Sequence, residues 1–220
     1  MDKLVADPAS PQSSTQRAYL TLRKEIITGR LAPGERLKID ALKEALDTGA
    51  SPVREALSLL TSDQLVDRLD QRGFRVATSS RAQFQEILNL RCNLEELALR
   101  DSLAKAGSEW EDALVLAHHH MNKADRGDVD AYEERHKSFH MALLAACGSP
   151  ILLRICGQLY DLNVRYRYLA GQSKSYARRN VEGEHRAILD AAIKRDFQTT
   201  CDSLMDHYQK TGAFLAEQIG

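Results

Sequence analysis

Residues 65–76 read Leu-Val-Asp-Arg-Leu-Asp-Gln-Arg-Gly-Phe-Arg-Val, two short runs of alternating apolar and polar residues on either side of a Gln-Arg-Gly turn. Alternation with a period of two is typical of strands that bury one face, and glycine in the connection favours a hairpin. We therefore predict a β-hairpin in this stretch. Beyond Arg81 the sequence contains no convincing strand pattern. The predicted hairpin is therefore considered together with the helices that precede it.

Three helices are predicted before the hairpin. Apolar residues at helical spacing indicate the first over 14–28 and a short second one over 39–45. The third is predicted to have Ser51 as its N-cap, to begin at Pro52 and to end near Thr61. Three helices followed by a β-hairpin form a winged helix-turn-helix, whose third helix lies in the major groove of DNA and whose wing touches the backbone or the minor groove.

The remainder of the chain is predicted to be helical. Helical stripes separated by short breaks occur at 81–105, 108–125, 129–147, 150–171, 175–194 and 196–217. The fold class is therefore mainly α, with an N-terminal winged helix-turn-helix that carries a small β-hairpin wing and a C-terminal all-α antiparallel helical bundle. We predict a disordered lead over 1–13, a DNA-binding domain over 14–78 and the bundle over 79–220.

Composition excludes several other classes of protein. The chain is 43% apolar and 28% charged, which is typical of a globular protein and excludes a disordered one. No apolar run approaches the roughly 18 residues of a membrane span, and the polar stretch 1–15 lacks the apolar segment of a signal peptide. We therefore expect a cytoplasmic protein with no membrane partner. The four cysteines form no Cys-x-x-Cys pair, so we expect reduced core thiols.

Charge is distributed unevenly along the N-terminal part of the chain. The net charge is only −1, but between Arg17 and Lys38 six basic residues stand against Glu25 and Glu35. Such a stripe can meet phosphate even when the whole chain is near neutral. The alternative is an ordinary solvated helix face, and charge alone does not decide between the two.

Four histidines are placed so that their rings can meet inside the bundle. His136 and His140 are four residues apart and lie above one another on one helix face. Where the last two helices meet, at Arg195-Asp196, His185 lies ten residues before the arginine and His207 eleven after the aspartate. At 1.5 Å per residue each is about 15–16 Å from that turn, so the two rings lie at the same level of an antiparallel hairpin.

Four neutral imidazoles at one level suit a borderline divalent metal. Zinc is the first choice, and nickel or another first-row ion is the next. The alternative for any one of them is an ordinary buried histidine. The consecutive residues His118, His119 and His120 point in different directions around a helix, so we interpret them as a surface or partly buried run and not as a site.

Motifs in both halves resemble one family of bacterial regulators. The stretches that resemble the winged helix of the GntR family are 29–37 (GRLAPGERL), 52–57 (PVREAL) and 72–77 (RGFRVA). Those that resemble the FCD effector domain of its FadR subfamily are Leu90-Arg91, Leu94-Glu95, Ser138-Phe139-His140, 184–188 (EHRAI) and Met205-Asp206-His207. The resemblance covers about 14–215. It implies a homodimeric transcription factor, usually a repressor, that binds a palindromic operator in double-stranded DNA and is released by a small carboxylate or dicarboxylate.

The resemblance also implies which residues meet DNA. The candidates are Lys38, Lys43, Ser51, Arg54, Arg72 and Gly73. Each has an ordinary alternative: Arg54 can pair with nearby acids, and Lys43 can be a plain exposed lysine. Many relatives carry arginine where this chain has Asp40 and Ala50, so the resemblance implies DNA binding but no particular operator sequence.

In the FCD domain, the resemblance supports the metal site. Many members use an Asp-x3-His pair and two later histidines, which correspond here to His136, His140, His185 and His207. This chain has His136 at the aspartate position. Histidine can replace aspartate as a ligand, but the site then loses a negative charge.

Arginines are the implied contacts of the effector. Family members hold the effector carboxylate with the arginine at the position of Arg91. The alternative is a structural ion pair with an acid such as Glu95, since a buried guanidinium needs a carboxylate. The stretch 163–167 offers further polar residues on one helix. Consecutive helical residues cannot all face inward, so one or two of them are expected at the surface. Arg165 is the second candidate for an effector contact.

Two rival functions remain open from the residues alone. A histidine-rich metal site can belong to an enzyme that hydrolyses or oxidises a small molecule, if one coordination position is open. Against this, no buried carboxylate is placed as a general base, and the winged helix would have no role, so we expect a regulator and not an enzyme. The second rival is an adaptor whose winged helix does not touch DNA.

Overall fold

The computed structural model of the chain describes residues 12–70, 72–170 and 179–218. The chain consists of two compact units, Met1–Thr78 and Ser79–Gly220. The predicted lead over 1–13 lies outside the described residues except for Gln12 and Ser13. The side chain of Ser13 accepts a hydrogen bond from the backbone at the start of the first helix, which makes Ser13 an N-cap.

Three helices and a small antiparallel sheet form the N-terminal unit. In chain order its elements are α1 (Ser14–Ile27), β1 (Arg36–Leu37), α2 (Ile39–Ala45), α3 (Ala50–Ser62), β2 (Val66–Leu69) and β3 (Gly73–Val76). The strand order is β1-β3-β2, and the β2–β3 hairpin pairs Val66 with Val76 and Leu69 with Gly73. The predicted winged helix is therefore confirmed. Strand β1 is an addition, because two residues are too few to show alternation in a sequence.

The core of this unit lies where α1 packs against α3. Leu22 and Ile26 of α1 and Val53, Leu57 and Leu60 of α3 are all 2% exposed or less. Their spacing of three or four residues places them on one face of each helix. Burial of each such side chain contributes about 1.5–3 kcal/mol to the free energy of unfolding.

The start of α3 differs from the prediction. Helix α3 begins at Ala50 with Gly49 as its N-cap, so the prediction that Ser51 is the N-cap is wrong. Gly49 already has the extended backbone conformation that an N-cap requires. The side chain of Ser51 instead donates to Glu55 Oε1 at 3.3 Å. Pro52 remains within the first turn, where its missing N–H group would have had no intrahelical partner.

The C-terminal unit is an all-α bundle, as predicted. Its helices are α4 (Arg81–Lys105), α5 (Ser108–Lys123), α6 (Val129–Leu144), α7 (Pro150–Ala170), α8 (Val181–Ile193) and α9 (Phe197–Gln218). The helix predicted over 175–194 starts later. Its residues 175–178 lie outside the described ranges, and Asn180 caps α8 by accepting from the amide of Gly183 at 3.0 Å. Within the described ranges, none of these helices combines the length and apolar character that crossing a bilayer requires.

Helix α7 contacts α4, α6 and α9. All eight residues of 159–166 are buried. The expectation that one or two residues of 163–167 reach the surface is therefore wrong, since Asn163, Arg165 and Tyr166 are 2–3% exposed and the Arg167 side chain is 11% exposed. Neighbouring helices cover this later part of α7, whereas its first turns reach the surface, with Ile151 63% exposed.

Candidate metal centre and DNA-binding surface

Four imidazoles converge inside the bundle. His136 and His140 come from α6, His185 from α8 and His207 from α9, and all are 3% exposed or less. One potential ligand atom from each lies within 4.8 Å of the other three. His136 Nε2 lies 3.0 Å from His185 Nε2 and 3.2 Å from His140 Nε2, and the ring centroids of His185 and His207 are 4.6 Å apart.

Helix geometry explains this convergence. A spacing of four residues stacks the two α6 rings one turn apart. Helices α8 and α9 form a hairpin around Arg195, whose φ is 58°, and Asp196 caps α9 by accepting from the amide of Thr199 at 3.0 Å. The tight turn fixes the register of the two helices, so that His185 and His207 face each other.

Burial keeps the imidazoles neutral. Removal from water lowers the pKa of His136 and that of His140 well below the usual value for histidine, and the positive charge of Arg167 acts in the same direction. Burial also lowers the pKa of His185 to about 2. The pKa of His207 is lowered by burial, although a neighbouring carboxylate opposes the change. A neutral imidazole has one ring nitrogen free to bind a metal.

Six residues that were not predicted as site residues surround the imidazoles. They are Glu133, Tyr160, Arg167, Arg179, Glu184 and Tyr208. Two signals in the sequence could have identified part of this set. Glu133 precedes His136 by three residues, so both lie on one helix face, and Tyr208 is adjacent to His207.

Glu184 and Arg179 hold His207 from outside the cluster. Glu184 Oε2 lies 2.7 Å from His207 Nδ1, and Arg179 Nε donates to Glu184 Oε1 at 2.7 Å. Arg179 Nη2 also donates to the backbone oxygen of His207 at 2.8 Å. Burial alone would raise the pKa of Glu184, but the hydrogen bonds from His207 and Arg179 lower it to about 2. Glu184 is therefore a carboxylate and can only accept.

Arg91 lies beside the imidazoles in a buried ion pair. Its Nε donates to Glu95 Oε1 at 2.6 Å and its Nη1 to Asn163 Oδ1 at 3.2 Å. Its guanidinium carbon lies 4.7 Å from the ring centroid of Tyr160 and 4.0 Å from that of Tyr208. Burial alone would lower the pKa of Arg91, but Glu95 raises it above its usual value, so the group stays charged. The structural pair with Glu95 is present, and Nη2 has no hydrogen-bond partner within the described part of the chain.

Arg167 of α7 contacts the cluster. Arg167 Nη2 donates to Glu133 Oε2 at 2.5 Å and to Tyr160 Oη at 3.0 Å, and it lies 3.3 Å from His136 Nδ1. Burial raises the pKa of Glu133, and the positive charge of Arg167 opposes that rise. Arg165 is buried on the same helix, with 3% exposure.

Exposed side chains lie at the start of α3 and at the wing of the N-terminal unit. Ser51 and Arg54 belong to the first turns of α3 and both are exposed. Among the described residues Arg54 forms no ion pair, so the alternative of a surface pair does not occur there. Arg72 and Gly73 are exposed at the tip of the wing, where the φ of Gly73 is +86°.

Helix α2 contributes the remaining two predicted DNA contacts. Lys38 is exposed and is the N-cap residue of α2. Lys43 lies near the end of α2 and pairs with Asp40 at 3.2 Å. The side chain of Asp40 is 88% exposed and that of Lys43 is 41% exposed. The pair therefore contributes little to the free energy of unfolding and leaves Lys43 able to meet phosphate.

Comparisons with known proteins agree with the two-unit architecture. The sequence pattern of the bacterial regulatory proteins of the gntR family matches residues 14–76, and that of the FCD domain matches residues 86–210. The chain is 31% identical to the HTH-type transcriptional repressor GlaR of Escherichia coli (strain K12), over 86% of this chain and 90% of GlaR. It is 35% identical to the HTH-type transcriptional regulator BphR of Paraburkholderia xenovorans (strain LB400), over 100% of this chain and 94% of BphR.

Solved structures show the same fold. The Escherichia coli protein McbR/YncC superimposes with a TM-score of 0.80 at 24% identity, covering 94% of this chain and 99% of its own. A GntR regulator from Rhodococcus sp. RHA1 gives a TM-score of 0.75 at 21% identity, covering 93% of this chain and 98% of its own. The family and these relatives are transcriptional regulators and not enzymes, which confirms that expectation. The chain therefore belongs to the GntR family of bacterial regulatory proteins, as a DNA-binding transcriptional regulator with an FCD domain.

Proposed function

We propose that this chain is a homodimeric repressor that binds a palindromic operator and is released by a small carboxylate, with a dicarboxylate the best match. The observation that carries the proposal is the cluster of four buried, neutral imidazoles beside the charged guanidinium of Arg91. The relative GlaR is named as a repressor, which supports the sign of regulation.

The imidazoles are suited to hold a divalent metal at the centre of the cluster. Nitrogen ligands of zinc lie about 2.0–2.1 Å from the ion, so two of them in a tetrahedral site are about 3.3 Å apart. The Nε2 separations of 3.0 Å and 3.2 Å around His136 are close to that value. His136, His140, His185 and His207 are the proposed ligand set. Zinc is the first candidate, with nickel or another first-row ion as alternatives.

Charge balance favours a dianionic effector. Arg91 pairs with Glu95, and Arg167 pairs with Glu133, so these groups neutralise one another. Four neutral imidazoles add no negative charge, and a bound divalent cation would therefore remain uncompensated in a buried site. An effector with two carboxylates supplies the missing charge. A metal ion bound by the imidazoles would act as a Lewis acid toward one carboxylate of the effector.

Arg91 is the proposed anchor for the effector in the protein itself. Its Nη2 is a buried donor with no partner among the described residues, and an arginine donor matches a carboxylate oxygen. Arg165 remains a second candidate, on the basis of its burial alone. Effector binding can release DNA only if it favours one arrangement of the dimer over another, because a ligand shifts an equilibrium through differential affinity.

DNA recognition is proposed to combine one base contact with several phosphate contacts. Arg54 at the start of α3 is the candidate for base reading, since a bidentate arginine–guanine contact contributes about 1–3 kcal/mol of discrimination. Lys38, Lys43 and Arg72 are candidates for phosphate contacts, which add affinity but no sequence information. Ser51 and Gly73 allow close approach of the backbone to the duplex at the helix start and at the wing.

The operator is first recovered by selection from random duplex DNA and labelled with fluorescein. Its affinity is then measured by anisotropy, with saturated dicarboxylates of three to six carbons and matched monocarboxylates as effectors. We expect a dicarboxylate to weaken binding and the monocarboxylates to act less. Unchanged affinity across the whole panel would remove the sensing function, and a monomeric mass in light scattering would remove the dimer.

The metal is tested separately by elemental analysis of purified protein. The parent should contain one first-row ion per chain, and His207→Ala should lose it. His119→Ala is the matched control, because His119 is exposed on α5 outside the cluster. Equal metal content in all three proteins contradicts the metal centre without affecting DNA binding.

A further inference from the structure

Two of the imidazoles have their protons fixed on the nitrogen that points away from the cluster. His207 Nδ1 lies 2.7 Å from Glu184 Oε2, and a carboxylate can only accept. His140 Nδ1 lies 2.9 Å from Tyr208 Oη, whose single proton is donated to Glu95 Oε2 at 2.5 Å. Both Nδ1 atoms are therefore donors, and both Nε2 atoms carry a bare lone pair that can bind a metal.

His136 is in the opposite situation. Its Nδ1 lies 3.3 Å from both Nη1 and Nη2 of Arg167, and a guanidinium can only donate. Tyr160 Oη lies 2.5 Å from the same nitrogen but 3.5 Å from its other acceptor, Glu133 Oε2. The phenol oxygen already accepts from Arg167 at 3.0 Å. The phenol proton is therefore donated to Nδ1, and His136 carries its own proton on Nε2.

This arrangement of protons is consistent inside the cluster as well. His136 Nε2 lies 3.2 Å from His140 Nε2, which is bare and can accept a hydrogen bond from it. To offer Nε2 to a metal, His136 would have to move its proton to Nδ1, where it would face the guanidinium of Arg167. His207 Nδ1 also lies 3.3 Å from a guanidinium nitrogen, Arg179 Nη2, but there the carboxylate of Glu184 accepts its proton at 2.7 Å. His140 Nδ1 has Tyr208 Oη as its acceptor, and no contact of His185 Nδ1 with a donor occurs within the described residues.

We propose that the four imidazoles have unequal roles, in which His140, His185 and His207 bind the metal and His136 is a hydrogen-bond donor directed into the cluster. This inference rests on the proposed function and narrows its set of four candidate ligands to three. Three protein ligands leave a coordination position open, and a carboxylate oxygen of the effector can take that position. The Nε2–H group of His136 would then donate to the same carboxylate, so His136 selects for an acceptor there.

Two identical substitutions, one helical turn apart on α6, test the unequal roles. Zinc affinity is measured by competition with a chromophoric chelator for the parent, His136→Gln and His140→Gln. Loss of a group that only supports a ligand weakens metal binding by about 10–100-fold. We therefore expect less than about tenfold weakening for His136→Gln, which keeps an N–H donor, and more than about 100-fold for His140→Gln. Equal losses in the two variants overturn the proposal.

Long-range ¹H–¹⁵N spectra of the histidine rings in the zinc-loaded parent give a test that does not depend on any variant folding. The expected tautomers are Nδ1–H for His140 and His207 and Nε2–H for His136. Zinc on Nε2 of His136 overturns the assignment. If the parent takes up no zinc, both the metal centre and this assignment are refuted. If the parent binds zinc but His136→Gln and His140→Gln lose equal affinity, only the unequal roles are refuted.

Discussion

Acid should destabilise the bundle of the metal-free protein, because three of its imidazoles resist protonation. Burial lowers the pKa of His136 and of His140 well below the usual value, and that of His185 to about 2. In the unfolded chain each titrates near pH 6.5. The unfolded state therefore binds more protons below about pH 6.5, and the free energy of unfolding falls as the pH falls through that value. For His185 the fall continues until the pH approaches about 2.

The size of the effect follows from the same linkage. Between about pH 6.5 and pH 5.5 each such imidazole lowers the free energy of unfolding by about 1 kcal/mol, and the three together lower it by about 3 kcal/mol. Glu184, with its pKa lowered to about 2, destabilises the fold only below its unfolded pKa of about 4.3, outside this window. His118 and His207, whose pKa values burial also lowers, act in the same direction, whereas Glu133, whose pKa is raised, acts in the opposite one. The figure of about 3 kcal/mol therefore counts only the three imidazoles named.

The assay can use the single tryptophan as a probe of the bundle alone. Trp110 is the one tryptophan of the chain and is 7% exposed on α5. Urea titrations in EDTA, followed by its fluorescence at several pH values, give the free energy of unfolding. The variant His185→Asn should lose about 1 kcal/mol less than the parent on acidification, and the exposed His119→Asn should match the parent. Stability that is flat or rises between pH 6.5 and 5.5 refutes the buried neutral imidazoles.

Three further predictions concern packing and backbone conformation. Glu95→Gln leaves the buried guanidinium of Arg91 without its carboxylate and should lower the free energy of unfolding, measured by urea denaturation, by about 3–5 kcal/mol. The control Glu96→Gln on the same helix removes an exposed ion pair and should lower it by less than about 1 kcal/mol. Gly73 has a φ of +86°, so Gly73→Ala should strain the backbone of the wing by about 1–2 kcal/mol. It should also weaken binding to the operator, measured by fluorescence anisotropy, and unchanged affinity speaks against a role for the wing. Leu57→Ala in the fully buried core should lower the free energy of unfolding by about 2–5 kcal/mol. Leu59 is 47% exposed, so Leu59→Ala should lower it by less than about 0.5 kcal/mol. Hydrogen exchange of the amides in α1 and α3 measures both losses, and equal protection in the two variants contradicts the assigned core.

Most of the fold could be predicted because it follows from periodicity. The helical stripes, the hairpin over 65–76 and the four-residue spacing of His136 and His140 are local patterns, and the common level of His185 and His207 follows from rise per residue alone. The cap of α3 could not be predicted, because Gly49 and Ser51 are both acceptable N-caps and the choice depends on the entering backbone.

The surroundings of the imidazoles could be predicted only in part, because they depend on contacts between distant segments. Tyr208 meets Glu95 across 113 residues, and no local pattern links the two. The contact between Arg167 and His136 could not be predicted for a related reason. The stretch 159–166 of α7 is buried by neighbouring helices, so tertiary packing decides which side chain of 163–167 meets His136.

The hydrogen bonds around the four rings reach five of the six bundle helices. Two rings belong to α6 and one each to α8 and α9. Tyr160 of α7 forms a hydrogen bond with His136, and Tyr208 forms one with His140 and donates another to Glu95 of α4. Protein interiors are close-packed with few voids, so a side chain that shifts inside one pushes on its neighbours. A small molecule that displaces one ring therefore acts on contacts shared by five helices, and its effect can extend well beyond the atoms that it touches.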